Sequence, residues 1–156
     1  MRPQIRRGYG GAMPSDLVLK SMNTVHRTML KLSGGRWGWS LGSMPVLELT
    51  TVGRQSGQKR SVMLTSPIQE GDVLVVIASR GGDDTHPAWF LNLQANPNVE
   101  VSLKDQPKRP MVATVANAEE RARLWPEVVA KAKNYGDYQE KTEREIPVVL
   151  LTPPGA

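Results

Sequence analysis

Residues 70–82 read Glu-Gly-Asp-Val-Leu-Val-Val-Ile-Ala-Ser-Arg-Gly-Gly. Glu70-Gly71-Asp72 is a tight-turn signal. Residues 73–79 then run apolar almost without a break, and a short strand without polar alternation is one buried on both faces. This stretch predicts a central strand. It ends in a small residue, a hydroxyl, a cation and two glycines, the kind of strand end that opens into a ligand-binding loop. A solvated loop followed by Asp83 and Asp84 fits the same letters.

Working outward, residues 46–52 form a strand ended by Gly53. Residues 60–69 form another, and Pro67 puts its far end at a sheet edge. Residues 87–95 read as a short helix with Pro87 in the first turn. Residues 98–104 alternate Val99, Val101 and Leu103, and residues 110–115 return beside them across Asp105-Gln106-Pro107. A helix opens near Asn117, with Glu119 and Glu120 in its first turn and Pro126 kinking or restarting it. Residues 134–144 are polar with two tyrosines, and residues 146–152 are the last strand. At the other end, residues 1–14 are an Arg-, Gly- and Pro-rich flexible arm. Ser15 caps a helix over residues 15–32, where Val18, Met22, Val25, Met29 and Leu32 make one apolar stripe. That helix packs on the domain, or serves as a lid or a membrane-surface contact. Residues 34–42, with Trp37 and Trp39, read as a loop.

The sum is about six strands and three or four helices, four of the strands being sequential neighbours. The expected class is α+β: a mostly antiparallel sheet or small barrel with helices at its ends. A chain of 156 residues makes one such domain, residues 15–156 behind the arm.

Composition narrows the chemistry. There is no cysteine, which excludes disulfides, thiolate metal sites and cysteine nucleophiles. The two histidines, His26 and His86, are 60 positions apart. They offer neither a metal site nor a serine–histidine triad, and no metal is expected. Redox or transfer chemistry must come from something bound. The net charge of +5 divides into +8 over residues 1–60 and −3 over residues 61–156, which points to an anionic partner. No signal peptide or membrane-length apolar run is visible. The expected location is cytoplasmic, with peripheral contact at the inner membrane face through the first helix.

Four stretches can carry chemistry. Gly53-Arg54-Gln55-Ser56-Gly57-Gln58-Lys59-Arg60 combines two glycines, three cations and a hydroxyl, equipment for phosphate or carboxylate. It is equally readable as a basic hairpin turn, and it lacks Walker A spacing. Ala78-Ser79-Arg80-Gly81-Gly82 is the second. In Pro87-Ala88-Trp89-Phe90-Leu91-Asn92-Leu93, Trp89 or Phe90 stacks on a flat ring or fills the core, and Asn92 shares a helix face with Trp89. Tyr135 and Tyr138, three apart, face a ligand or solvent together.

Together these stretches resemble one family. Thr50-Thr51-Val52-Gly53-Arg54-Gln55-Ser56-Gly57-Gln58-Lys59-Arg60 is similar to its T-T-x-G-R-x-[ST]-G-x-x-R signature. Ala78-Ser79-Arg80-Gly81-Gly82 and His86-Pro87-Ala88-Trp89-Phe90-Leu91-Asn92-Leu93-Gln94-Ala95-Asn96-Pro97 resemble its A-S-[KR]-G-G and N-P-x-W-Y-x-N-L-x-A-N-P stretches. Tyr135-Gly136-Asp137-Tyr138-Gln139 and Thr142-Glu143-Arg144-Glu145-Ile146-Pro147-Val148 resemble its Y-x-x-Y-Q and T-x-R-x-I-P-V. The family is the deazaflavin-dependent nitroreductases, actinobacterial oxidoreductases that use coenzyme F420. The likeness runs from about Pro45 to Pro153, in order and spacing.

The resemblance implies a split β-barrel related to the flavin-binding pyridoxamine-phosphate oxidases. It implies hydride transfer from reduced F420 to a quinone, an activated alkene (enone or lactone) or a nitroaromatic. FMN is the second-choice cofactor. By position, Arg54, Gln55, Ser56 and Arg60 hold the phosphate and anionic tail. Ser61, Val62, Met63, Leu64 and Thr65 run along the ring system. Ile77, Ala78, Ser79 and Arg80 touch phosphate and deazaflavin, and Ala88, Trp89, Phe90, Leu91 and Asn92 complete the pocket beside Tyr135. Ser79, Tyr135 and Tyr138 face the acceptor as catalytic hydroxyls. Ala132 and Lys133 stand where the nitroimidazole-reducing member has Tyr-Pro, so quinone or enone reduction is expected first. A monomer or weak dimer is expected. The readings from other classes are a non-catalytic F420-binding protein and a small basic barrel binding nucleic acid, and the −3 of residues 61–156 opposes the latter.

Overall fold

The structure is a computed structural model that describes residues 40–41, 44–104 and 106–155. The arm over 1–14, the helix over 15–32, His26 and most of the loop over 34–42 lie outside the described residues. The part of that loop that is described, Ser40–Leu41, is a two-residue strand, β1. The chain continues through β2 (Met44–Val52), β3 (Lys59–Thr65), β4 (Ile68–Glu70) and β5 (Val73–Ile77). A 3-10 turn (Arg80–Gly82), α1 (Ala88–Ala95), β6 (Asn98–Ser102) and β7 (Arg109–Val115) follow. The chain ends with α2 (Ala118–Lys131), α3 (Lys133–Glu140) and β8 (Val148–Thr152).

Every strand pairing is antiparallel. The sheet runs β1-β2-β6-β7-β8-β5-β4, with β3 on β2. The strand expected over 60–69 is therefore two strands with different partners. Its first part pairs Lys59–Thr65 with β2, and its second pairs Ile68–Glu70 with β5. Pro67 cannot donate to a ladder and marks the change of partner. Because β3 runs on into β4, the chain itself joins the two ends of the sheet and curls it into a barrel. Ser66 pins the corner. Its backbone N–H donates to the Pro45 carbonyl at 2.9 Å, and its hydroxyl lies 2.9 Å from the Ile68 carbonyl and 2.8 Å from the Val75 carbonyl.

The barrel interior follows period-2 alternation. Leu47 and Leu49 of β2, Leu74 and Val76 of β5, Val99 and Val101 of β6, Met111 and Ala113 of β7, and Val149 and Leu151 of β8 form one core, with Phe90 and Leu93 of α1 packed in. On the outer side, Val75 and Ile77 of β5 and Val148 of β8 lie under Leu124, Val128 and Tyr135 from α2 and α3. Both faces of β5 are thus buried, which is why its sequence shows no polar alternation.

Several details differ from the expectations. Asn117 caps α2 in a full capping box: its side chain accepts from Glu120 N at 2.8 Å, and its own N–H donates to the Glu120 carboxylate at 3.2 Å. With that start, α2 runs through Pro126 without restarting. Pro87 is the N-cap of α1 rather than its first turn, in an extended conformation (φ −65°, ψ 150°). The polar stretch after Lys131 is the helix α3. The last strand begins at Val148, since Pro147 has no N–H to give the ladder, although its carbonyl still accepts from Ala78 N at 3.0 Å.

Removing the Ser66 hydroxyl leaves the buried Ile68 and Val75 carbonyls without it. Ser66→Ala is expected to lower unfolding free energy by about 1–3 kcal/mol in urea titration. A loss below about 0.5 kcal/mol would show that this hydroxyl does not hold the corner.

Candidate active site

A cavity of about 910 Å³ runs along β3. One end of β3 meets the turn after β2. There Gly53 N donates to the Gln58 carbonyl and Gly57 N to the Gly53 carbonyl, both at 2.8 Å, and Gly57 takes φ +72°. A Cβ on Gly53 would sit 3.1 Å from the Gln58 carbonyl oxygen and 2.8 Å from Ser56 Oγ, so a side chain there would crowd the turn. Arg54, Gln55, Ser56 and Arg60 stand exposed on it and line the cavity. At the other end of β3, the Thr65 hydroxyl and the Tyr135 phenol are 2.9 Å apart. Burial pushes the Tyr135 pKa up, opposed by the Thr65 bond, so the phenol keeps its proton at neutral pH. The Tyr138 ring packs edge-on to Tyr135 at 6.2 Å and also faces the cavity.

Between these ends lie Ser61, Val62, Met63, Leu64 and Thr65, faced by Ile77, Ser79, Arg80, Ala88, Trp89 and Asn92. From Arg60 to Thr65 the strand spans about 17 Å. β3 pairs with β2 on one side, and no other strand pairs with it among the described residues. All of residues 61–65 line the cavity, as an edge strand bordering it would.

Most of the residues singled out in the sequence meet here, and three do not. Ala78 is fully buried in the barrel core, Phe90 is buried in the same core, and Leu91 packs against it. Phe90 therefore takes the core role and stacks near His86 at 4.8 Å, while Trp89 keeps one side on the cavity. Asn92 is buried, with its amide held on both sides: Oδ1 accepts from Arg54 N at 3.2 Å and Arg54 Nη1 at 3.1 Å, and Nδ2 donates to Thr51 Oγ1 at 3.1 Å. Arg80 sits at φ +46°, a left-handed conformation uncommon for a side-chain-bearing residue, and its guanidinium is engaged by Asp83 and by Thr85 Oγ1 at 2.7 Å. Thr51, Gly53, Gly81, Pro87 and Asn134 complete the lining.

Arg144 is the residue that sequence reasoning quoted without giving it a task. Its guanidinium donates to the carbonyls of Ala78 (3.2 Å), Ser79 (2.8 Å) and Asp83 (2.7 Å), and lies 3.2 Å from His86 Nδ1. It ties the loop after β5 to the segment after α3. Thr142 adds a 2.8 Å bond to Asp84, and Gly82 packs so close to α3 that a Cβ would sit 2.7 Å from the Tyr138 carbonyl oxygen. The walls carrying Ser79 and Tyr138 are therefore one unit. Burial lowers the Arg144 pKa, partly offset by Asp83 and Asp84, and it stays a cation. The clue in the sequence is its place in the Thr-x-Arg stretch before Pro147.

A curled antiparallel barrel with a long slot, cationic at one end and lined by hydroxyls at the other, is the architecture of a cofactor-dependent oxidoreductase of the split-barrel class. The model of the F420H(2)-dependent quinone reductase family matches residues 22–153, and the chain belongs to that family. It is similar to an F420H(2)-dependent quinone reductase of Mycobacterium tuberculosis, 38% identical over 133 residues covering 82% of this chain and 87% of the relative. Among solved structures, an F420-H2 dependent reductase (FDR-A) shares 39% identity with a TM-score of 0.61, over 69% of this chain and 93% of that one. A protein of the pyridoxinephosphate oxidase family from Clostridium acetobutylicum, 9% identical with a TM-score of 0.51 over 84% of each chain, shares the fold alone. The family name gives reduced F420 as the reductant, ahead of FMN, and an oxidoreductase activity. Among the described residues no helix is long and apolar enough to cross a membrane, and no cluster of metal-ligating side chains occurs.

Two outcomes are expected. Arg144→Ala removes donors to three backbone carbonyls and should cost at least about 2 kcal/mol in urea titration, with Arg144→Lys recovering only part because an ammonium lacks the planar fork. A neutral Arg144→Ala would show that the loop holds itself. The second concerns His86, whose pKa is held below the ordinary 6.5 by burial first and Arg144 second. The unfolded chain therefore takes up this proton first as pH falls. The stabilising contribution is complete above about pH 6.5 and is lost as pH drops through the folded value. His86→Gln should show a smaller loss of stability than wild type between about pH 7 and about pH 5 in thermal melts, and an identical slope would contradict this.

Proposed function

We propose that this protein is an F420H2-dependent reductase whose preferred acceptor is a quinone, with activated alkenes next and nitroaromatics after them. The observation that carries this reading is the continuity of the cavity along β3, from the Arg54–Arg60 turn to the Thr65–Tyr135 pair. F420 has a flat tricyclic ring, a ribityl chain, a phosphodiester and a glutamate tail. A slot with cations at one end, an apolar wall of Val62, Leu64 and Trp89 in the middle and hydroxyls at the far end fits that order of groups. Residues 54–60 of the turn are exposed among the described residues, which suits a tail of variable length.

When bound, reduced F420 supplies the hydride. The protein's own work is positional and electrostatic. Arg54, Arg60 and the Ser56 hydroxyl would hold phosphate and carboxylates. The edge of β3 away from β2 would offer backbone donors and acceptors to the pyrimidine edge of the ring. Val62, Trp89 and Ala88 would keep water off the ring faces. The acceptor would enter on the side of Ser79, Tyr135 and Tyr138. As its carbonyl oxygen gains negative charge, a hydroxyl held nearby stabilises that charge and delivers the proton. Tyr135 is the best placed of the three: its phenol is protonated, and Thr65 can donate to it and leave the phenolic proton directed at the acceptor.

The test is oxidation of F420H2, followed by its visible absorbance, against menadione, cyclohexenone and a nitroimidazole. Turnover of menadione ahead of the other two is expected, and no turnover of any acceptor above the enzyme-free rate would overturn the reading. Tyr135→Phe should lower kcat about 10- to 100-fold with F420 affinity retained. Unaltered kcat would remove Tyr135 as proton donor.

A further inference from the structure

We infer that Asn92 is a positioning residue that sets Arg54 for the anionic part of the cofactor, rather than a residue that touches the ring. The inference rests on the F420 reading above and deepens it. Asn92 lies on α1, the helix that plugs the barrel mouth with Phe90 and Leu93. Its side chain reaches sideways to the rim. There Thr51 continues the inward stripe of Leu47 and Leu49 on β2, and the strand gives way to the basic turn.

The bonding capacity of the amide decides its role. A side-chain amide has two acceptor lone pairs and two donor hydrogens. Both acceptor positions of Asn92 are taken by Arg54, one through the backbone N–H and one through Nη1, and one donor is taken by Thr51. Two N–H donors on one atom and a hydroxyl on the other also fix which way the amide points. Asn92 therefore has no acceptor left for a ligand, and it is nearly closed off from solvent, with 5% exposure. Arg54 is exposed and lines the cavity. Among the described residues Asn92 is the group bonded to its guanidinium. The bond occupies one nitrogen of the fork, on a side chain that lines the cavity. A floppy arginine loses rotamer freedom when it grips an anion, and one already tethered at Nη1 loses less. Because the backbone N–H of Arg54 is held as well, the same amide sets where the whole turn begins.

The experiment separates tail from ring. F420 and its tailless core, 8-hydroxy-5-deazariboflavin, share the ring and the ribityl chain. The core has neither phosphate nor glutamates. Affinities for both are measured by fluorescence titration of wild type, Asn92→Ala, Asn92→Asp and Arg54→Ala. Asn92→Ala should weaken F420 about tenfold and leave the tailless core within about twofold of wild type, the pattern also expected of Arg54→Ala. Asn92→Asp keeps both acceptor positions and so preserves the turn. Its charge cancels that of Arg54, and it too should lose F420 affinity selectively. Equal weakening of both ligands would mean a merely structural or ring-contacting Asn92, and unchanged F420 affinity would mean that Arg54 needs no tether; either result overturns the inference. If Asn92→Ala does not fold, Asn92→Ser, whose hydroxyl is too short to hold both Arg54 N–H groups, takes its place with the same ratio expected. Failure of the F420 reading looks different: wild type itself binds neither ligand.

Discussion

One segment shared between two partners sets the shape of this molecule. Residues 59–70 cannot run as one straight strand, because Pro67 interrupts the ladder and Ser66 anchors the bend to both β2 and β5. The first part must stay with β2 and the second must cross to β5. The antiparallel sheet is curled by that constraint, and its interior fills with ten alternating apolar side chains from β2, β5, β6, β7 and β8, with Phe90 and Leu93 of α1 packed in. A second consequence matters more for function. Among the described strands β3 pairs with β2 alone, and its residues 61–65 line the cavity, so barrel closure and the long wall of the site are the same piece of chain.

Around that wall, three small groups of polar contacts place everything else. Asn92 ties the basic turn to the barrel rim. Arg144 ties the loop after β5 to the segment after α3. Thr65 and Tyr135 close the far end of β3. Each joins residues distant in sequence, by 38, 65 and 70 positions respectively. Each also leaves a different chemical group facing the cavity: a cation, a hydroxyl beside a fixed loop, and a protonated phenol. These bonds are part-buried, so leaving one unsatisfied costs more than at the open surface.

Much of this was legible beforehand. The unbroken run at residues 73–77 declared a strand with two buried faces, and the alternation of Val99 and Val101 declared one face of another. The glycine-flanked basic turn announced a cationic end to the cavity through its composition. What stayed hidden depended on tertiary contact. Pro67 was visible as an interruption, but the change of partner needs the positions of β2 and β5. Trp89 and Phe90 are adjacent letters of similar character, and only the packing of α1 sends one to the cavity and the other to the core. Arg144 reads as one more charge on a polar segment, since its acceptors are backbone carbonyls, which no side-chain pattern reveals. Helix α3 is short, with a glycine at its middle, and takes its stability from Tyr135 packing under α2 rather than from propensity.

The central claim is an orientation: anionic tail on the Arg54–Arg60 turn, ring beside β3, reacting edge at Tyr135. A crystal structure of the protein with oxidised F420 tests it directly. The account predicts phosphate and glutamate density against Arg54 and Arg60, with the ring stacked along Val62 and Leu64 and its far edge beneath the Tyr135 phenol. Ring density at the basic turn, or cofactor bound away from β3, would contradict it.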